Sequence, residues 1–428
     1  MTAWLEQLAS RRRFGMKPGL GRISRLVSAL GNPERRLGRV VHIAGTNGKG
    51  AVAALVDAAL REKGFAVARY TSPHLVRINE RFTFAGEPVG DEVLERAAAR
   101  VASVCAAEQE LGEVTFFEAL TAVAFLVFAE ARPDFTVLET GLGGRLDATN
   151  VCVPVLSVLV KIGLDHCDWL GDTVEKIAFE KCGIVKPGVP VVLGANASGV
   201  LETVRTDAAA KRSPFFYAPA LASEAEIPAD FPLAGAFNRE NAVTALAALE
   251  VLGEAVYSDR ERLLSPRCFS RAVWPGRFQR VGEFLIDGAH NPPAAAALAA
   301  ALAETPEIRA GKRFTLVAGF CGDKDSRAVL RTLAPFVASA IAVRTDNPRS
   351  LSAEATAAEM AAAGLAAAAA PTLSDALSRA RVAGAPVLVA GSLFLAGEAL
   401  RLLGALPGGA ADPSCLLAPL PGRGIPPV

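Results

Sequence analysis

Long hydrophobic runs are missing from this sequence. The longest strongly apolar stretch, residues 119–129, is too short to span a bilayer, and no charged start with an apolar core and a small-residue cleavage site opens the chain. No membrane partner is expected, and the cytoplasm is the expected location. Net charge is nearly missing as well: a formal +1 gives no global field that would draw nucleic acid or an anionic surface. The seven cysteines, Cys105, Cys152, Cys167, Cys182, Cys268, Cys321 and Cys415, form no close Cys-x-x-Cys pair. That argues against a zinc site and a disulfide framework, and leaves them as small semi-buried thiols. Repeats of solenoid length are lacking. So is the Asn-Lys-x-Asp signature of a nucleotide-switch GTPase. Histidine is scarce, only His42, His74, His166 and His290.

What is present is a globular composition, 51% hydrophobic and 21% charged over 428 residues, which is long enough for two domains. Strand-like runs at 39–44, 66–70, 135–139, 155–161 and 190–193 alternate with helical patterns, the first of them at 49–63 with Gly64 at its end. A turn signal at Trp274-Pro275-Gly276 precedes a second alternating series, with strands at 283–286, 314–318, 340–344 and 386–390. The expected fold is α/β. Residues 1–274 form a larger domain with a mostly parallel sheet, and residues 277–428 a smaller Rossmann-like α/β domain. The Pro/Gly-rich tail from Leu406 reads as loose.

Gly45-Thr46-Asn47-Gly48-Lys49-Gly50 lies between a strand and a helix. Small residues there let backbone N–H groups approach phosphate oxygens, the helix N-terminus adds partial positive charge, and Lys49 adds a full one. The loop is shorter than G-x-x-x-x-G-K-[ST], and Ala51 stands where a Ser/Thr hydroxyl would follow. A metal must therefore find its protein ligands further along the chain.

Ser72 follows the second strand at the carboxyl edge, where open α/β sheets bind ligands; standing alone it also reads as a turn cap. Glu139 ends a strand before Gly141-Leu142-Gly143-Gly144-Arg145, a poor helix start, which favours a hard-cation ligand over a cap. His166 follows another strand and reads either as a ligand or as a structural imidazole. Asp172 and Glu175 have capping-box-like spacing for a helix over 173–181, and its apolar phase (Val174, Ile177, Ala178, Cys182) puts Lys181 on the inward face. A snorkelling lysine is the alternative there.

Together these segments resemble the folylpolyglutamate synthase/dihydrofolate synthase family of the Mur ligase superfamily. The resemblance rests on HIAGTNGKG (42–50), TSPHL (71–75), TFFE (115–118), LETGLGGRLDATN (138–150), GLDHCDWLG (163–171), FEKCGIVKPG (179–188), PGRFQ (275–279), DGAHNP (287–292) and GSLFLAG (391–397). It implies a P-loop ATPase domain over residues 1–274, a glutamate-ligase domain over 277–428, and an ATP-dependent ligase that joins L-glutamate to dihydropteroate, to reduced folyl-glutamates, or to both, through an acyl phosphate. It further implies two Mg²⁺ ions on Ser72, Glu139 and His166, a carbamylated Lys181, and nucleotide contacts from Asn241, Arg277 and Asp287 beside the phosphate loop. Arg22, Ile23 and Ser24, then Thr115, Phe116, Phe117 and Glu118, then Leu146, Asp147 and Ala148 match segments lining a pterin pocket. His290 and Ser392 match the glutamate side. The catalytic set is Lys49, His166 and Lys181, and the expected assembly is a monomer.

The sequence departs from the family pattern at Ala51, where the hydroxyl's contribution to phosphate binding is either missing or supplied by Thr46 or water, and at Phe394, where tyrosine is common. Rival readings are a ligase for a nucleotide-linked cell-wall precursor, opposed by TFFE and the Arg22–Ser24 segment, and a non-catalytic ATP-binding paralogue, opposed by Lys49, Glu139, His166 and Lys181.

Overall fold

A computed structural model describes residues 18–108, 113–228, 231–259, 263–265, 267–322 and 324–406. The first sheet contains β1 (Arg39–Ala44), β2 (Val67–Tyr70), β3 (Phe82–Phe84), β4 (Glu87–Pro88), β5 (Phe135–Glu139), β6 (Leu156–Leu159), β7 (Val191–Leu193) and β8 (Phe215–Tyr217), in the order β4-β3-β2-β5-β1-β6-β7-β8. All its pairings from β2 to β8 are parallel; β3 and β4 add an antiparallel edge. The central strands are buried on both faces, as a parallel sheet covered by helices requires. On one face lies the helix Lys49–Glu62, buried from Gly50 to Leu60 beneath the helix Ala236–Tyr257; on the other lies the almost wholly buried helix Phe116–Ala131.

The chain crosses between Tyr257 and Gln279 into a second sheet, formed by β9 (Gln279–Val281), β10 (Phe284–Ile286), β11 (Phe314–Ala318), β12 (Val337–Ala342), β13 (Ala367–Ala369) and β14 (Val387–Ala390). Its order is β13-β12-β11-β14-β10-β9, parallel except for β9. The fold is thus α/β with two mostly parallel sheets. The alanine-rich run after Asn291 is a helix, Pro292–Ala303, capped by the Asn291 side chain.

Two local expectations need correction. The strand expected at 340–344 is Val337–Ala342, because β11 ends at Ala318 opposite Ala342 and offers no further partner. The helix expected to start from an Asp172 cap starts at Val174; Thr173 accepts from the Lys176 N–H, while Asp172 pairs with the Lys176 ammonium at 2.7 Å. Gly64 has φ +85 and closes the helix Lys49–Glu62 in the left-handed region that glycine favours. Beyond Leu406 the tail lies outside the described residues. Among those that are described, no helix is long and apolar enough to cross a membrane.

The two sheets meet through small residues. A Cβ on Gly397 would lie 2.5 Å from the Leu75 carbonyl oxygen, and one on Gly163 would lie 3.1 Å from Pro293. Phe237 meets Phe278 edge to face at 6.1 Å.

Candidate active site

Strand β1 lies between β5 and β6, and the chain runs first to one side of it and then to the other. Their carboxyl ends therefore flank a topological switch point, the usual crevice for ligands in such sheets. Out of β1 comes the loop Gly45–Gly48. Its Thr46 and Asn47 N–H groups donate to the Lys161 carbonyl at 2.8 and 3.3 Å, tying it to the segment after β6. Gly48, at φ +95, leaves no room for a side chain, since a Cβ there would sit 2.3 Å from Asn241 Oδ1. Asn241 thus lies directly against the loop. The Thr46 hydroxyl donates to the Gly163 carbonyl at 3.0 Å and accepts from the Gly163 N–H at 3.1 Å. Engaged on both sides, it is a poor replacement for the hydroxyl missing at Ala51, which leaves water or no replacement.

Lys49 Nζ donates to the carbonyls of Gly45 and Thr46 at 3.1 and 3.2 Å and lies 4.0 Å from Glu139 Oε1. Glu139 ends β5, is buried, and accepts from the Ser72 N–H at 2.9 Å. Burial pushes its carboxyl upward, with Lys49 acting in the opposite direction. Ser72, Glu139 and Lys49 are therefore gathered at one point. His166 follows β6 in the left-handed region at φ +52, its Nε2 3.9 Å from Asp165. Burial lowers its pKa, which favours the neutral ring with a free lone pair. Among the described residues no group of three or more His, Cys, Asp or Glu side chains converges as a metal site.

Lys181 is buried with Ile177, Ala178 and Cys182 on the inward face of the helix Val174–Cys182. Its Nζ does not snorkel outward but donates to the Gly45 carbonyl at 2.9 Å. Burial first, and the nearby Lys49 charge second, lower its pKa to about 7.

From the second sheet come Arg277, Asp287, His290 and Ser392. Asp287 is buried, accepting from the Phe278 and Ala289 N–H groups, both at 2.8 Å; burial raises its pKa while Arg277 acts against the rise. The His290 Nδ1 lies 2.8 Å from the Gly288 carbonyl, which can only accept, so Nδ1 carries the proton and Nε2 is left as an acceptor. Ser392 caps the helix Leu393–Leu402.

The pterin-pocket segments have more varied surroundings. Thr115 and Glu118 form a reciprocal capping box, and Glu118 pairs with Arg22 at 3.1 Å. Phe117 packs on Gly141, where a Cβ would be 2.5 Å from its ring. Phe116 lies beneath the Arg81 guanidinium, 6.0 Å from it. Asp147 accepts from Gly141 N, Leu142 N, Thr149 N and the Thr149 hydroxyl, so its carboxylate shapes the glycine loop after Glu139. Ile23 and Ala148 belong to the core, Leu146 is partly exposed and Ser24 exposed.

Residues absent from the sequence-based set also reach this crevice. Asp165 contacts Asn291 and Lys324 from across the two sheets, and Trp274 covers Gly50. Asp165 and Asn291 sit inside the quoted motifs GLDHCDWLG and DGAHNP, which was the available signal. Lys324 carried none.

A glycine- and lysine-bearing loop at a switch point, faced by polar groups of a second α/β unit, is the arrangement of a two-domain nucleotide-dependent enzyme. Residues 276–393 match the Mur ligase, glutamate ligase domain. The dihydrofolate synthase/folylpolyglutamate synthase of Bacillus subtilis is 38% identical over 352 residues, covering 76% of this chain and 80% of that protein. The structure of Mycobacterium tuberculosis folylpolyglutamate synthase complexed with ADP and AMPPCP aligns with a TM-score of 0.83 and 31% identity, over 95% of this chain and 99% of that one. The bifunctional enzyme from Yersinia pestis complexed with AMPPNP and Mn ion aligns with a TM-score of 0.80 and 28% identity, over 94% and 97%. The chain belongs to the dihydrofolate synthase/folylpolyglutamate synthase family of ATP-dependent glutamate ligases. That membership favours the folate branch over the cell-wall branch.

Proposed function

We propose that the protein joins the amino group of L-glutamate to the carboxylate of dihydropteroate, of reduced folyl-glutamates, or of both, with ATP converted to ADP and phosphate. The observation that carries this reading is Lys49, bonded to its own phosphate loop and 4.0 Å from the buried Glu139 carboxylate. A carboxylate resists amines because its leaving group would be oxide. Attack of a carboxylate oxygen on the γ-phosphorus expels ADP and leaves an acyl phosphate, and the glutamate amine then displaces phosphate. Lys49, released from its loop carbonyls, neutralises charge on the transferring phosphoryl; this task is mainly electrostatic and positional.

Ser72, Glu139 and the neutral His166 supply oxygen and nitrogen donors of the kind a divalent cation takes, and we assign two Mg²⁺ ions to these three residues. When bound, they neutralise phosphate charge. Lys181 fits a carbamate: with its pKa near 7 the free amine is available to add CO₂, releasing a proton and turning an inward cation into an anion. Asn241, Arg277 and Asp287 take the nucleotide side, His290 and Ser392 the amino acid. The pteridine lies along Arg22–Ser24, Thr115–Glu118 and Leu146–Ala148. Residues 1–274 and 277–428 act as two units that close to exclude water from the acyl phosphate. A monomer in the cytoplasm suits this role.

The test is nucleotide release with dihydropteroate and with tetrahydrofolate, each with and without glutamate. ADP formation that needs both acid and glutamate is expected; AMP and pyrophosphate would rule the reading out.

A further inference from the structure

The crevice contains a charged contact that the reaction chemistry leaves unused. Asp165, just after β6 in the first unit, is gripped from the second unit by two side chains. Asn291 Nδ2 donates to Asp165 Oδ2 at 2.8 Å, and Lys324 Nζ donates to Oδ1 at 3.1 Å. The ion pair is sheltered, with side-chain exposures of 14% for Lys324 and 15% for Asp165, so solvent screens it less than a surface pair. Asn291 also exchanges paired amide contacts with Asn47 of the phosphate loop, 3.3 Å each way. Its Oδ1 meanwhile caps the helix Pro292–Ala303 by accepting from Ala294 N at 2.9 Å. Beside this cluster Pro293 rests on Gly163, where a Cβ would lie 3.1 Å away.

Nearly every hydrogen-bonding atom of Asn291 is thus committed, and most of its partners lie in the other unit. We propose that Asp165, Asn291 and Lys324 form a latch that holds the second α/β unit closed over the phosphate loop. Through it they act as positioning residues for His166 and for the second-unit groups that complete the site. The latch rests on the proposed ligase reading only for its consequence, the protection of an acyl phosphate from water. Its mechanical part stands on the contacts alone. Losing one grip shifts the open–closed balance by a modest factor, in the usual range for coupling between sites.

The experiment uses the full chain with Lys324→Met, Lys324→Arg, Asn291→Asp and, as a control, the exposed Lys312→Met. Asn291→Asp keeps an oxygen for the helix cap but sets a like charge against Asp165. Small-angle scattering of the ligand-free protein reads closure without any turnover. A larger radius of gyration is expected for Lys324→Met and Asn291→Asp, with Lys324→Arg and Lys312→Met matching the parent. In the nucleotide assay, ADP release without glutamate, taken relative to release with it, should rise about five- to tenfold in the two opened variants. An unchanged radius in both Lys324→Met and Asn291→Asp overturns the latch whatever the activities, and so does equal expansion in Lys312→Met. If the parent releases no ADP with a pteroate-type acid and glutamate, the ligase reading fails, and scattering still decides the latch.

Discussion

The ammonium groups of Lys181 and Lys49 donate to the same oxygen, the Gly45 carbonyl, at 2.9 and 3.1 Å. Two cations on one acceptor in a buried corner repel each other, and burial opposes the charge on Lys181 further. Lys181 is driven toward neutrality, with its pKa lowered to about 7. Lys49 faces Glu139 and keeps a carboxylate within 4.0 Å. The pair is therefore asymmetric: one lysine suited to phosphate, the other to losing its proton.

Carbamylation of Lys181 follows from that asymmetry and has a pH sign. The reaction consumes the neutral amine and releases a proton, so at fixed dissolved CO₂ the carbamate grows as pH rises from about 6 to about 8 through the lowered pKa. Carbon-13 NMR of protein equilibrated with labelled CO₂ should show a carbamate signal with this dependence, absent in Lys181→Ala. Activity lost in Lys181→Ala should be partly restored by acetate. Full activity in Lys181→Arg would mean that a fixed cation suffices and the carbamate has no role.

Lys49→Ala should lower kcat by about 10²–10³, the usual loss when a donor to developing transition-state charge is removed. Ala51→Ser should change ATP use little, since a neutral hydroxyl contact contributes about 0.5–1.5 kcal/mol. Steady-state kinetics on the two variants checks both; near-wild-type kcat in Lys49→Ala would refute the phosphate-loop assignment.

Glu139→Gln removes the anionic donor beside Ser72 while keeping its shape. Divalent-ion affinity in the presence of a non-hydrolysable ATP analogue, measured by Mn²⁺ titration, should weaken by about tenfold or more. Unaltered binding would move the metal away from this carboxylate.

Gly50→Ala drives a methyl into the Trp274 ring, 2.0 Å from Cζ2 before relaxation. Overpacking of this kind costs about 1–3 kcal/mol. Urea unfolding should show that loss, and Trp274→Leu combined with Gly50→Ala should recover part of it. Strict additivity of the two changes would show that the contact carries no strain.

Much of this was legible in the sequence where one local signal dominated. Strands β1, β5 and β11 have the expected bounds because strongly β-forming runs end at glycine or polar turns. The inward phase of Lys181 followed from helix period alone. The short strands β3, β4, β8, β9 and β13 escaped because each has only two or three residues, and Ala367–Ala369 has no β-forming side chain. Asp165, Asn291 and Lys324 could not be joined from the sequence, since their meeting depends on how two sheets far apart in the chain are packed. Thr46 stayed an open alternative for a similar reason: its hydroxyl is claimed by Gly163, 117 residues away.

The acyl phosphate is the central claim, and oxygen-18 tests it most directly. With both carboxylate oxygens of dihydropteroate labelled, the oxygen that attacks the γ-phosphorus must leave with phosphate when the glutamate amine displaces it. One labelled oxygen per turnover is predicted in inorganic phosphate, with the other retained in the amide, alongside unlabelled ADP. Inorganic phosphate free of label, or label carried into AMP, would contradict the account.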